Sequence, residues 1–131
     1  SSAASDVYKR QGDFLMDLLE LDSLVARHVY GLVVIIDTQK GANYIMGKNG
    51  TPMELPLYST DMEAVDDIEK RLERQGWYLS VRNTVDAEKS KWIACFLRDD
   101  EKSYLPSKAD TLPAAVCMAA VAALTGKNVQ Q

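Results

Sequence analysis

The chain has one histidine and two cysteines in 131 residues. A single histidine, His28, removes every metal site built on a His pair and leaves any Ser–His or Cys–His nucleophile dependent on one residue. His28 falls on a helix predicted around Arg27 and Tyr30, where a surface or packing role is the ordinary one. No GxSxG, HExxH, P-loop or GxGxxG pattern occurs. The acidic runs Asp66-Asp67 and Asp99-Asp100-Glu101 read as solvated faces, not as a buried carboxylate pair. These absences predict a protein that is not an enzyme and needs no cofactor or metal.

Cys95 and Cys117 are far apart, each within an apolar segment and neither in a CxxC pair, which predicts buried thiols in a reducing cytoplasm. The longest apolar run, Leu112 to Leu124, falls short of the roughly 20 residues that span a bilayer, so no membrane partner is expected. Positive charge is also in deficit. Against 15 Lys and Arg stand 19 Asp and Glu, a net charge of -4, and a broad face for a nucleic-acid polymer is excluded.

What is present fits one ordinary globular domain. Apolar residues recur at helical spacing from Asp13 to Val29. The β-branched run Leu32–Asp37 predicts a strand covered on both faces, Tyr44–Gly47 a strand pairing back on it, and Lys48–Pro56 a loop. In Tyr58–Gly76, Thr60 is the expected N-cap with Glu63 closing a capping box, and Gly76 is the expected stop. Ala64, Val65, Ile68 and Leu72 form the apolar stripe of that helix, and Asp66, Asp67, Lys70, Arg71 and Arg74 its solvent face.

Trp77–Asn83 alternates as a half-exposed strand, and Lys91–Leu97 is apolar on both faces, as a central strand is. The segment from Arg98 to Asp110 reads as a charged loop. Thr111–Gly126 is a helix with a Thr cap, Pro113 in its first turn and no visible solvent face. A sheet covers one side of such a helix. The other side is expected against a second subunit, so a homo-oligomer formed through Thr111–Leu124 is predicted. The fold class is α+β: a small, mainly antiparallel sheet between helical layers, an α-β-α sandwich.

Five segments carry a family resemblance: DSLVARHVYG (Asp22–Gly31), LPLYSTDMEAVDDIEKRL (Leu55–Leu72), GWYLSVRN (Gly76–Asn83), KWIACFL (Lys91–Leu97) and ADTLPAAVCMAAVAAL (Ala109–Leu124). With "YSTD" before an amphipathic helix and T-x-P-x-A-x-C-x-A-A in the last helix, the chain resembles the phage α-β-α (ABA) sandwich domain of short phage and prophage proteins. The likeness runs from about Asp22 to Leu124. It departs in the acidic loop Arg98–Lys102 and in the hairpin Thr38–Gly50. The resemblance implies the fold and defines no activity.

Binding residues are sought among helix starts, aromatics and cations. Ser59 and Thr60 could add hydroxyl donors to a helix N-terminus that holds phosphate, although capping alone accounts for both. Tyr58 and Tyr78 offer faces on which a base stacks, whereas Trp77 and Trp92 sit on the apolar sides of their strands. Tyr78 and Arg82 share the polar face of one strand, and Lys91 adds charge across from it.

The resulting expectation is a phage protein, acting in the cytoplasm of an infected bacterium, that sequesters a small nucleotide immune signal, cyclic or derived from ADP-ribose. That step is an analogy with unrelated small phage proteins and not a property of the fold. The alternative is an inhibitor or accessory factor that docks on a host protein through the charged helix face or the loop from Arg98 to Ala109. A small phosphodiesterase is disfavoured by the missing His and metal motifs.

The opening Ser1–Gln11, SSAASDVYKRQ, matches codon by codon the translation of a transposase-type sequencing adapter. It is expected to be a non-native tail, with the domain running from residue 12 to 131 and the native start at Met16 or upstream of it.

Overall fold

The computed structural model describes residues 17–37, 39, 42–47, 49–86, 89–99 and 106–126. Ser1–Gln11 and the expected helix start at Asp13 lie outside them. The first described helix, α1, is Leu18–His28, and Asp17 begins it by accepting a 2.8 Å bond from the Glu20 amide. It buries Leu21, Asp22, Ser23, Val25 and Ala26.

Sheet 1 follows, with β1 Val34–Asp37, β2 Ala42–Met46 and β3 Pro52–Glu54 in antiparallel order β1-β2-β3. Two expectations change here. β1 is not covered on both faces: Ile35 and Ile36 are exposed, because among the described elements sheet 1 packs on α1 alone, through Val34 and the buried Ile45. The expected loop Lys48–Pro56 contains β3. Pro52 opens that strand at the sheet edge, where its missing N–H is not needed.

A 3₁₀ turn at Tyr58–Thr60 precedes α2, Met62–Glu73. The N-cap is Asp61, which accepts from the Glu63 amide at 2.9 Å, and not Thr60. The 3₁₀ turn takes up Thr60, whose hydroxyl bonds back to the Leu57 carbonyl at 3.2 Å, so the helix starts later than the sequence pattern indicated. The apolar stripe is as expected, with Ala64, Ile68 and Leu72 buried. Gly76, at φ 90°, turns the chain out of the helix into sheet 2.

Sheet 2 has β4 Trp77–Asp86, β5 Lys89–Arg98 and β6 Ser107–Ala109, antiparallel, with β5 central as expected. The strand β6 comes from the segment read as a loop, of which residues 100–105 lie outside the described set.

The last helix, α3, is Leu112–Thr125, with Thr111 accepting from the Ala114 amide and Gly126 at φ 76° ending it. Every residue from Pro113 to Ala123 is buried. The cover comes from the same chain: β5 and β6 on one side, and α1, α2 and the 3₁₀ turn around the rest. Its alanines let these elements approach closely. Enclosure of Pro113–Ala123 by their own chain accounts for this all-apolar helix without a second subunit. The architecture is α+β, as expected, with its strands divided between two antiparallel sheets instead of one.

Candidate functional site

Alternation along β4 and its register with β5 sort the side chains of sheet 2 onto two faces. Trp77, Leu79, Trp92, Ala94 and Phe96 belong to or pack against the core, where β5 and β6 meet α3 and β4 meets α2. Tyr78, Ser80, Arg82 and Thr84 point the other way, opposite Leu97, Cys95, Ile93 and Lys91 in turn. Lys108 on β6 is opposite Ile93, so one row across the sheet reads Arg82, Ile93, Lys108.

On this outer face Tyr78 is 55% exposed, and Ser80, Arg82 and Leu97 are exposed as well. Three cations therefore surround Ile93 in a chain of net charge -4. Lys91 is ion-paired with Asp110, whereas Arg82 has no ion-pair partner among the described residues. Four strand residues separate Tyr78 from Arg82, about 13 Å, and two strand spacings separate Arg82 from Lys108, about 10 Å.

The structure thus keeps Tyr78, Arg82 and Lys91 on one face and separates Tyr58, Ser59 and Thr60 from them. The 3₁₀ turn touches α1, α2 and α3 but no strand of sheet 2. Tyr58 is buried and already stacked on Tyr30, with ring centres 4.9 Å apart. Ser59 is fully buried, and its amide donates to Asp22 Oδ1 at 2.8 Å. Tyr58 and Ser59 are closed to a base or phosphate because their turn is packed against α3.

Asp22, Tyr30, Asp67 and Arg71 complete this second cluster, and sequence reasoning missed them. The Tyr30 hydroxyl donates to Asp67 at 2.5 Å, Arg71 bonds the same carboxylate at 3.1 Å, and its guanidinium lies 4.3 Å from the Tyr30 ring centre. Burial pushes the Asp22 carboxyl above its ordinary value against the opposing pull of Ser59, whose amide it accepts. The bond from Tyr30 holds Asp67 below its own. Burial, with some help from the charge of Asp22, pushes the Cys117 thiol far up and keeps it protonated. A neutral thiol with no histidine beside it is no nucleophile: His28, the lone histidine, is exposed at the far end of α1. The "YSTD" motif and the Cys117 motif meet here as a structural latch. One signal was available, an aspartate beside Leu21 on the apolar side of α1.

Among the described residues no group of three His, Cys, Asp or Glu is placed to hold a metal, and no helix is long and apolar enough to cross a membrane.

Two antiparallel three-stranded sheets and an enclosed C-terminal helix define an α+β domain. The chain belongs to the phage ABA sandwich domain family, whose model matches residues 23–121. Its fold is also that of a phage protein from Bacillus cereus ATCC 14579, solved as a 2.0 Å crystal structure, with a TM-score of 0.60 and 23% identity. The alignment covers 82% of this chain and 92% of that one. No curated protein matches the chain.

Proposed function

We propose that this phage protein is a non-catalytic binding protein that holds a small nucleotide on the outer face of sheet 2 and so withholds an immune signal from its host receptor. The observation that carries the reading is the row Arg82, Ile93, Lys108, with Lys91 beside it and Tyr78 further along β4. Cations suit phosphate and an exposed ring suits a base. The roughly 13 Å from Tyr78 to Arg82 fits a ligand longer than one mononucleotide, such as a cyclic oligonucleotide or an ADP-ribose derivative.

An open face covers one side of a ligand, and tight capture of a small molecule needs most of its surface enclosed. The expected homo-oligomer enters at this point, with a second copy supplying the missing wall. A host-protein partner is the second reading, favoured by the openness of the face and the exposed Tyr78 and Leu97. Docking through α2 has less support, because Lys70 and Arg71 are paired with Asp66 and Asp67 on the same helix.

The test is calorimetric titration and thermal shift with a panel of cyclic di- and trinucleotides and cyclic ADP-ribose isomers. A ligand that raises the Tm and is recovered unchanged after denaturation supports sequestration. A changed product replaces it with a hydrolase, and a panel without a binder leaves the protein-partner reading in its place.

A further inference from the structure

The two edges of sheet 2 differ in kind. The β6 edge is three residues long and carries Lys108, a short, charged edge of the sort that resists pairing. The β4 edge is ten residues long, contains no proline and no lysine, and runs in unbroken register with β5 from Trp77↔Arg98 to Asp86↔Lys89. From Tyr78 to Val85, β4 makes no backbone hydrogen bond outside that ladder among the described residues. About half of its N–H and C=O groups therefore point away from β5 and have no backbone partner among the described residues.

On the face of β4 that carries the buried Trp77, two apolar side chains are open to solvent. Val81 is 37% and Val85 is 70% exposed, both farther along the strand than Trp77. They lie two residues to either side of Asn83, whose own amide is held by Ser90 Oγ and the Lys91 carbonyl.

We propose that β4 pairs antiparallel with β4 of a second copy about a two-fold axis at Asn83, joining two three-stranded sheets into one of six strands. The strand is its own complement. That axis sets Val81 of each copy opposite Val85 of the other, covering both exposed valines twice over. A two-fold pairing also uses each β4 edge once and leaves sheet 2 only its guarded β6 edges, so this contact closes at two copies.

On the outer face the same axis places Arg82 opposite Thr84 of the other copy and the two Arg82 side chains diagonally, about 7–8 Å apart at their stems. Two like charges this close weaken the pairing slightly, and an anion lying between them reverses the effect. The anion step rests on the proposed function of the face; the pairing does not.

Sedimentation equilibrium of the full chain over about 1–100 µM tests the pairing by mass action. The native chain is expected to be a dimer. The Val81→Lys/Val85→Lys double variant sets lysine against lysine and sediments as a monomer. Val81→Lys/Val85→Glu sets each lysine against a glutamate of the other copy and stays dimeric. Amide exchange in β4 of the native chain slows by up to about tenfold over that hundredfold range, as the monomer fraction falls with the square root of concentration.

A native chain monomeric throughout, a Lys/Lys variant that stays dimeric, a Lys/Glu variant that falls apart, or concentration-independent exchange overturns the pairing. Any nucleotide found to bind tightens the dimer about tenfold. A dimer indifferent to that nucleotide removes the anion bridge and keeps the β4 contact.

Discussion

Asp22 accepts the Ser59 amide in a site closed to solvent, and substituting it separates the worth of its hydrogen bond from the effect of its charge. Asp22→Ala leaves the Ser59 N–H buried and unpartnered, a loss of about 1–3 kcal/mol. For an ordered domain of this size that lowers Tm by about 4–12 °C. Asp22→Asn keeps an oxygen for the amide and removes a carboxylate whose pKa burial has raised.

A carboxyl raised on folding costs stability once ionised, and the cost grows as pH climbs from the ordinary carboxylate value, 3.8, through the higher folded one. Asp22→Asn is therefore at least as stable as the native chain at pH 7, and its advantage fades as pH falls through that window and the native aspartate takes up a proton. Thermal melts of the three proteins from pH 3.5 to 7.5 measure this. An Asn variant that loses as much as the Ala variant, or an advantage that grows in acid, refutes the reading and assigns Asp22 a role that needs its charge.

Further outcomes follow from the same contacts. Asp61→Ala removes the cap of α2 and costs about 1 kcal/mol, while Thr60→Ala, which removes no cap, costs clearly less; urea melts distinguish them. Thiol titration of the native protein labels the part-exposed Cys95 and reaches the buried Cys117 only on unfolding; prompt labelling of both contradicts the enclosed helix. Ala120→Lys in α3 prevents folding, because its surroundings belong to the same chain; a folded, merely dissociated variant would restore a subunit contact there.

What the sequence revealed divides along a physical line. The apolar stripe of α2, the enclosed character of α3 and the central place of β5 were legible because each follows from local periodicity. Which partner encloses α3 was not legible, since an all-apolar helix reports that it is covered and not by what. Thr60 and Asp61 are both good caps, and the choice fell to a 3₁₀ turn that tertiary packing imposes. Pro52 masked β3, because proline in a strand signals only at edges, and edges are a tertiary fact.

Of the candidate site, Tyr78, Arg82 and Lys91 followed from strand alternation, and Lys108 was missed because β6 is too short to show a pattern. Tyr58 and Ser59 carry the same chemistry on paper but are buried, with the Ser59 amide bonded to Asp22, which residue type alone does not reveal.

The most direct test of the central claim is calorimetry of the nucleotide panel against the native chain, Arg82→Ala and Tyr78→Ala, with melts to show that all three fold. Binding to the native chain that weakens at least tenfold in each variant, at unchanged Tm without ligand, is the result expected of the outer face of sheet 2. Binding that survives both substitutions contradicts it and places the ligand elsewhere.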